Sequence, residues 1–496
     1  MPKISNSGSR SVLTLPLLTE SYQDYILEKR FKVLEHLQNS LIALELRKLK
    51  NLQRTRSFRI LEQQIKDTPK DNRGSLYSQR QKMIKDAGFS EFAFKKDITP
   101  MQKHFPEHIA AHVAHRIASD VWRSFEKHLY HGAKKIHFKR KGTLSSAANQ
   151  KAGNAMSLKD GFFIWSGGQC KNKISLSIRV QKPSTAYEQE MLLKEIKYFR
   201  IIRKWMKTRY KYYLQITVVG DPPTKDRSVG NGRVGIDIGT QSIAIVSENA
   251  VHLWELASQV NTHHSKMIAL QRRMDVSRRH TNPDNYNEDG TIKRGVKLRW
   301  HQSNHYKKLS GQVKELQRKN ADIRKYQHTC LANYVISLGT QVFVEDMDFR
   351  ALQLRSKHTT KDKNGRFNRK KRFGKSLANK APSMFLTILS GKLKRLAGEE
   401  LHRVNKWTFK ASQYDHLSQK YVKKNLCIRN FKLSSGDLVQ RDLYSAFLLM
   451  NADPSLMQPN QLLCKQTFSG FLPLHNKELL RIQHSDDKRL SSFGIT

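Results

Sequence analysis

Residues 234–246 read VGIDIGTQSIAIV. Two apolar runs flank a Gly-Thr-Gln turn, so a strand, a tight turn and a second strand are expected here. A single carboxylate, Asp237, lies inside the first run. Burying a charge in a strand is costly unless the charge is paired or ligates a metal. Any fold this chain adopts must therefore give Asp237 a compensating partner.

Two more carboxylates share that context. Glu345 follows Val342-Phe343-Val344, and Asp442 opens an apolar helical run at 443–450. Each has a plainer use when taken alone. Asp-x-Gly-Thr also occurs in actin-like ATPases and sugar kinases, where the loop holds ATP phosphates. Glu345 could be a strand-end charge or a salt-bridge partner, and Asp442 could cap its helix. Together, and in this order, they form an oxygen-donor set suited to hard cations. Two such cations can clamp a scissile phosphate, activate water and stabilise the leaving oxygen.

Charge decides between these uses. Among 496 residues there are 90 Lys and Arg against 42 Asp and Glu, a formal charge of +48. An excess of this size repels itself in the folded state and is tolerated best beside a polyanion. Nucleic acid fits, because neutralised phosphates release counterions; an actin-like kinase would not need such a charge. No run of about 18 apolar residues exists, and LTLPLL at 13–18 is too short for a signal peptide, so a soluble, intracellular chain without a membrane is expected. Cys170, Cys330, Cys427 and Cys464 are far apart with no CxxC, which offers neither a disulfide framework nor a complete zinc ribbon.

The length suggests roughly three domains of about 150 residues. Residues 9–18 are expected as a strand. Residues 21–61 carry Ile26, Leu34, Leu37, Leu41, Leu44 and Leu49 near helical spacing, and a second helical stretch covers 102–130. The basic loop KKIHFKRKGTLSS at 134–146 precedes strands over 160–220. GDPPTKDRSVGNG at 220–232 is the clearest boundary. Beyond the opening strands, 260–338 is largely helical and basic, TQVFVEDMDF at 340–349 returns to a strand, and 383–400 is helical again. The last forty or so residues show little pattern. KDKNGRFNRKKRFGK at 361–375 is a cationic loop. RRMDVSRRH at 272–280 repeats paired arginines between two of the carboxylates, and Arg offers planar, multi-donor contacts to phosphate.

The stretches GIDIGTQSIAIV, VFVEDMDF and GDLVQRDLYSAF resemble the three RuvC motifs of TnpB, the transposon-encoded RNA-guided nuclease family ancestral to compact type V CRISPR effectors. FKRKG, IALQRRMDVSRRH and LANKAPSMFLTILSGKLKRLAGEELHRV are similar to the same family. The resemblance implies a multidomain α+β chain. A wedge β-barrel would occupy 1–20 and 134–222, with a helical recognition insert at 21–133. A RuvC nuclease domain of ribonuclease H-like fold would span 231–453, with a helical insert at 258–338, and 454–496 would be a C-terminal tail. It makes Asp237, Glu345 and Asp442 the catalytic ligands of Mg²⁺ or Mn²⁺. Lys139, Arg140, Arg272, Arg273, Arg278, Arg279, Lys370, Lys371 and Arg372 become nucleic-acid contacts. The implied partners are a guide RNA, of omega type or a crRNA, and double-stranded target DNA, in a prokaryotic cytoplasm near the nucleoid.

The chain departs from the family at the zinc ribbon. At 408–438, Asp415 and Ser418 stand where one cysteine pair would fall, and Lys432 and Ser435 where the other would. No structural zinc is expected, and packing or RNA contacts must hold this target-binding piece together. RDLYSA also replaces the usual RD-x-N-A-A. A lost ribbon could mark decay into a silent RNA-guided DNA-binding repressor; the intact carboxylates point to an RNA-guided DNA endonuclease.

Overall fold

The computed structural model describes residues 8–207, 209–224, 228–356, 358–362, 364–365, 368, 373–425, 428–485 and 490–495. The chain divides into two compact units, Met1–Pro223 and Thr224–Thr496. The division falls inside the Pro/Gly-rich stretch. Each unit mixes helices and strands, so the chain is a multidomain α+β protein.

The first unit begins with strand β1 (Arg10–Leu18), whose alternation buries Leu13, Leu15 and Leu17. Five helices follow: α1 (Ser21–Arg54), α2 (Arg56–Asp67), α3 (Gly74–Asp86), α4 (Glu91–Gln102) and α5 (Ala111–Tyr130). Of these, α3 and most of α4 lie outside the helical stretches expected from the sequence. Strands β2 (Ser146–Ala148), β3 (Met156–Lys159), β4 (Phe162–Ser166) and β5 (Ser175–Val180) come next, then α6 (Ala186–Leu192), β6 (Ile196–Met206) and β7 (Arg209–Val219). The seven strands are hydrogen-bonded in the order β2-β6-β7-β1-β5-β4-β3. Strand β1 pairs with β7 over most of its length and passes to β5 at Leu17 and Leu18. Among the described residues no ladder joins β2 to β3, so hydrogen bonds do not close the sheet along that edge. Helix α1 is pinned by Arg30, fully buried, which donates to the carbonyls of Trp165 and Ile174 at 2.7 Å each.

The second unit is built on a mixed sheet. Strands β8 (Arg233–Ile238), β9 (Ser242–Ser247) and β10 (Ala250–Glu255) form a meander. Helices α7 (His264–Thr281) and α8 (Asn304–Leu338) follow, then β11 (Gln341–Glu345), α9 (Phe349–Gln353), α10 (Gly374–Lys380), α11 (Pro382–Leu396), β12 (His402–Val404) and the single turn α12 (Lys406–Phe409). The sheet order is β10-β9-β8-β11-β12, with β8, β11 and β12 parallel and the other pairs antiparallel. Two short hairpins come next: β13 (Tyr414–Asp415) with β14 (Lys420–Tyr421), and β15 (Asn430–Lys432) with β16 (Leu438–Gln440). Helices α13 (Arg441–Met450) and α14 (Gln461–Gln483) complete the unit. Alternate residues of the strands face two cores. Val234, Ile236 and Val344 join Val335 of α8 and Phe385 and Leu389 of α11, whereas Ala244, Val246 and Phe343 join α13 and α14 through Phe447 and Phe471.

Helix α14 corrects the expectation of a patternless tail. Gly470 and Pro473 interrupt its sequence, so its helical signal is weak. Tertiary contacts hold it. Cys464, Phe471, His475, Glu478 and Ile482 are buried, and Glu478 accepts the Leu253 N–H at 2.9 Å. Burial alone would raise the Glu478 pKa, but Arg481, His252 and that N–H outweigh it and hold the group down at about 2. No described helix is long and apolar enough to cross a membrane.

Candidate active site

Two parallel strands and one helix carry the three carboxylates. Asp237 is the penultimate residue of β8 and Glu345 the last of β11. Val344 pairs with Ile236, which leaves Glu345 beside Asp237 at the ends of adjoining strands. Asp442 lies in the first turn of α13.

Gly235 explains how α13 reaches them. Gly235 and Asp237 share the face of β8 opposite Val234 and Ile236. A Cβ on Gly235 would stand 1.9 Å from the Ala446 carbonyl oxygen and 2.4 Å from the Met450 nitrogen, so the helix backbone rests directly on the strand. Ala446 is one turn beyond Asp442, and Asp237 is two residues beyond Gly235. The contact that needs glycine thus sets the two aspartates against each other. Arg233 locks the far end of the helix by donating to the carbonyls of Met450, at 2.7 Å, and Ala452. At the near end Gln440 caps the helix, accepting the Leu443 N–H at 2.8 Å, and its own N–H donates to Nε2 of buried His475 at 2.9 Å. Capping therefore falls to Gln440 and not to Asp442.

The electrostatics follow from this packing. Burial pushes the Asp237 pKa well above the carboxylate range, and the charges of Asp442 and Glu345 push it further, against the weaker pull of Arg441 and Arg429. Burial likewise raises Glu345, with Lys406 opposing it. Neither side chain makes an ion pair or hydrogen bond among the described residues. Asp442 does: Arg441 Nε lies 3.3 Å from one oxygen and Arg429 3.7 Å from the other. Among the described residues no three His, Cys, Asp or Glu side chains are drawn together tightly enough to cage a metal ion. Carboxylate oxygens are nonetheless the donor type that a hard dication prefers, and two of these three acids are short of compensating positive charge. Arg429 and Arg441 supply part of that charge at Asp442. Sequence reasoning missed both arginines, although Arg441 adjoins Asp442 in the chain.

The expected nucleic-acid contacts divide. Lys139 and Arg140 are exposed in the first unit, in a segment tied down by Asn39, which accepts the Lys139 N–H at 2.8 Å and donates to its carbonyl at 2.9 Å. Arg272 and Arg273 are exposed on α7. Arg278 and Arg279 are engaged in structure. Both bind Asp275, Arg278 lies over Trp300 and Arg279 over Tyr286, and Arg279 also donates to the Gly290 carbonyl at 2.7 Å. Lys370, Lys371 and Arg372 lie outside the described residues.

At the expected ribbon position, Asp415 bridges the two hairpins. One oxygen accepts the Leu417 N–H at 2.9 Å, and the other accepts the Ser434 N–H at 3.0 Å, nineteen residues away. Burial works to raise its pKa, but these bonds and the Ser418 N–H outweigh it and hold the group below its ordinary range. Tyr444 fastens the first hairpin to α13. Its hydroxyl accepts the His416 N–H at 3.1 Å and lies 2.8 Å from Nδ1 of that buried histidine.

No family model and no curated protein sequence matches the chain. Among solved structures, a cryo-electron-microscopy structure of a Cas12f1–sgRNA–target DNA complex aligns at 12% identity and a TM-score of 0.49, covering 90% of this chain and 99% of that one. A CRISPR-Cas12f ternary complex aligns at 14% identity and a TM-score of 0.28, over 88% and 83%. Likeness at this level assigns no family, and the chemistry rests on the chain's own residues.

Proposed function

We propose that this chain is an RNA-guided DNA endonuclease related to TnpB and the compact type V effectors, with one ribonuclease H-like site formed by Asp237, Glu345 and Asp442. The observation that carries this is that Asp237 is buried within reach of the charges of Asp442 and Glu345, acids from distant segments, inside a chain of charge +48. Perturbed acids that packing forces together are a mark of functional sites. The mixed sheet, with Asp237 and Glu345 on neighbouring parallel strands, agrees with that fold.

Asp237 and Glu345 hold their oxygens at the strand ends, and α13 presents Asp442 to them. Mg²⁺ or Mn²⁺ held by these three residues would supply Lewis acidity and an activated water to phosphodiester hydrolysis. Arg429 and Arg441 keep Asp442 charge-compensated before the site is loaded. The exposed cations, Arg272 and Arg273 among them, attract the guide and the target. In such a system base pairing reads the target while the protein reads a short flanking motif and duplex shape.

Purification with sequencing of bound RNA, followed by cleavage of a matched duplex in Mg²⁺, tests the proposal. A guide sequence and Mg²⁺-dependent cuts are expected; absence of copurifying RNA and of salt-sensitive nucleic-acid binding would sink it. The engagement of Asp442 with two arginines favours one second reading, a silent RNA-guided binder. Guide-dependent target binding without nicking at any Mg²⁺ or Mn²⁺ concentration would select it.

A further inference from the structure

A groove of about 1030 Å³ opens just past the end of β11, bordered by Asp346, Asp348, Arg350, Arg403, Lys406 and Trp407. Trp407 is 75% exposed. Tryptophan has a large apolar surface, and leaving it in water forfeits hydrophobic free energy unless a partner covers it. Its backbone is held in place. Val404, three residues earlier, pairs with Glu345 across the β11–β12 ladder, and Asn405 caps α12 by accepting the Trp407 N–H at 2.9 Å. The backbone that carries the indole is therefore fixed, next to Lys406, whose charge reaches Glu345.

The charges of the groove point the same way. Its two acids are engaged within the protein: Asp346 pairs with Arg403 at 3.3 Å, and Asp348 caps α9, accepting the N–H groups of Arg350 and Ala351 at 2.9 and 3.0 Å. Arg350 is exposed, and the Lys406 ammonium lies 5.4 Å from the Trp407 ring centroid. An exposed aromatic face flanked by cations suits single-stranded nucleic acid, because every base has a face to stack and every linkage a phosphate to neutralise.

We infer that Trp407 is a stacking platform for a base of the single DNA strand entering the carboxylate site, with Lys406 and Arg350 holding the adjoining phosphates. This rests on the nuclease reading for the identity of the strand. Trp407 acts here as a positioning residue, registering the strand so that one phosphate lies over Asp237 and Glu345.

Full-length protein with its copurified RNA is titrated with a single-stranded DNA oligonucleotide carrying 2-aminopurine at successive positions, in EDTA. Wild type should quench one position strongly. Trp407→Ala should lose that quench and weaken binding about tenfold, the usual scale for one stacked base, whereas Trp407→Phe should retain most of both. Thermal midpoints should not change, because the side chain buries little. In Mg²⁺, Trp407→Ala should raise KM more than it lowers kcat, with Trp407→Phe restoring KM. Equal quenching and affinity in wild type and Trp407→Ala would overturn the platform. So would footprinting that shows Trp407 covered by the guide RNA alone, or wild type that does not bind the oligonucleotide. If quenching depends on Trp407 but wild type never cleaves, the nuclease reading fails and the platform stands. If wild type cleaves and Trp407→Ala is indistinguishable from it, the reverse holds.

Discussion

Asp237 and Asp415 are the same residue type in the same unit, and their surroundings push them in opposite directions. Asp237 sits against Asp442 and Glu345, receives no N–H among the described residues, and has its pKa raised by burial and by those two charges. Asp415 joins two hairpins, receives N–H groups from Leu417 and Ser434, and is held below its ordinary range. A carboxylate whose oxygens are filled by N–H donors behaves as a structural cross-link. One packed against other carboxylates stores unfavourable electrostatics that a cation can relieve. On the proposed function, the difference separates a stabilising site from a reactive one.

The largest expected effect breaks the reactive side. Asp237→Ala, Glu345→Ala or Asp442→Ala should each lower cleavage by on the order of 10³-fold or more while leaving guide and target binding nearly intact, and double variants should be no worse than singles. EDTA should reproduce the loss, and Mg²⁺ or Mn²⁺ should restore wild type only. Full cleavage by any single variant would remove that residue from the site.

Next, Asp415→Ala should destabilise the second unit by about 1 kcal/mol, since it removes the acceptor shared by the Leu417, Ser418 and Ser434 N–H groups, and should do so with little change in cleavage at 25 °C. The folded pKa of Asp415 lies below the unfolded value. Its contribution is therefore present above the ordinary carboxylate range and is lost as pH falls through the folded value. The gap in thermal midpoint between wild type and Asp415→Ala should narrow in acid; a gap that widens there would contradict the assignment.

A smaller effect of opposite sign is expected from Asp237→Asn. Because the folded pKa is raised, stability falls as pH climbs from the unfolded value toward the folded one. Without divalent cations the amide should stabilise the protein by on the order of 0.5–2 kcal/mol at neutral pH, with no gain in acid, where the native acid is protonated. Destabilisation at neutral pH would mean that Asp237 is compensated by groups other than those identified.

The smallest expected effect is none. If Asp415 and Tyr444 hold the small subdomain, a zinc chelator should leave the thermal midpoint unchanged, and elemental analysis should find no stoichiometric zinc. One zinc per chain would overturn that account.

Much of the site was legible one segment at a time. Strands β8 and β9 followed from two short apolar runs, and the charge of Asp237 stood out within the first. The boundary near residue 223 followed from its Pro/Gly content. Helix α14 was hidden because Gly470 and Pro473 mask a helix that tertiary packing sustains. The pairing of Arg278 and Arg279 with Asp275, one turn earlier on the same helix, was not anticipated, although the i, i+3 and i, i+4 spacing is in the sequence.

The sequence by itself determined the charge, the strands and the three acids in apolar surroundings, because burial periodicity and composition are local properties of the chain. Only the tertiary structure decided which acids meet. Gly235 lets α13 rest on β8, Arg233 and His475 hold the ends of that helix, and Asp415 finds the Ser434 N–H in the neighbouring hairpin. These contacts join residues from 19 to more than 200 positions apart. Their geometry depends on how layers pack, which no local pattern encodes.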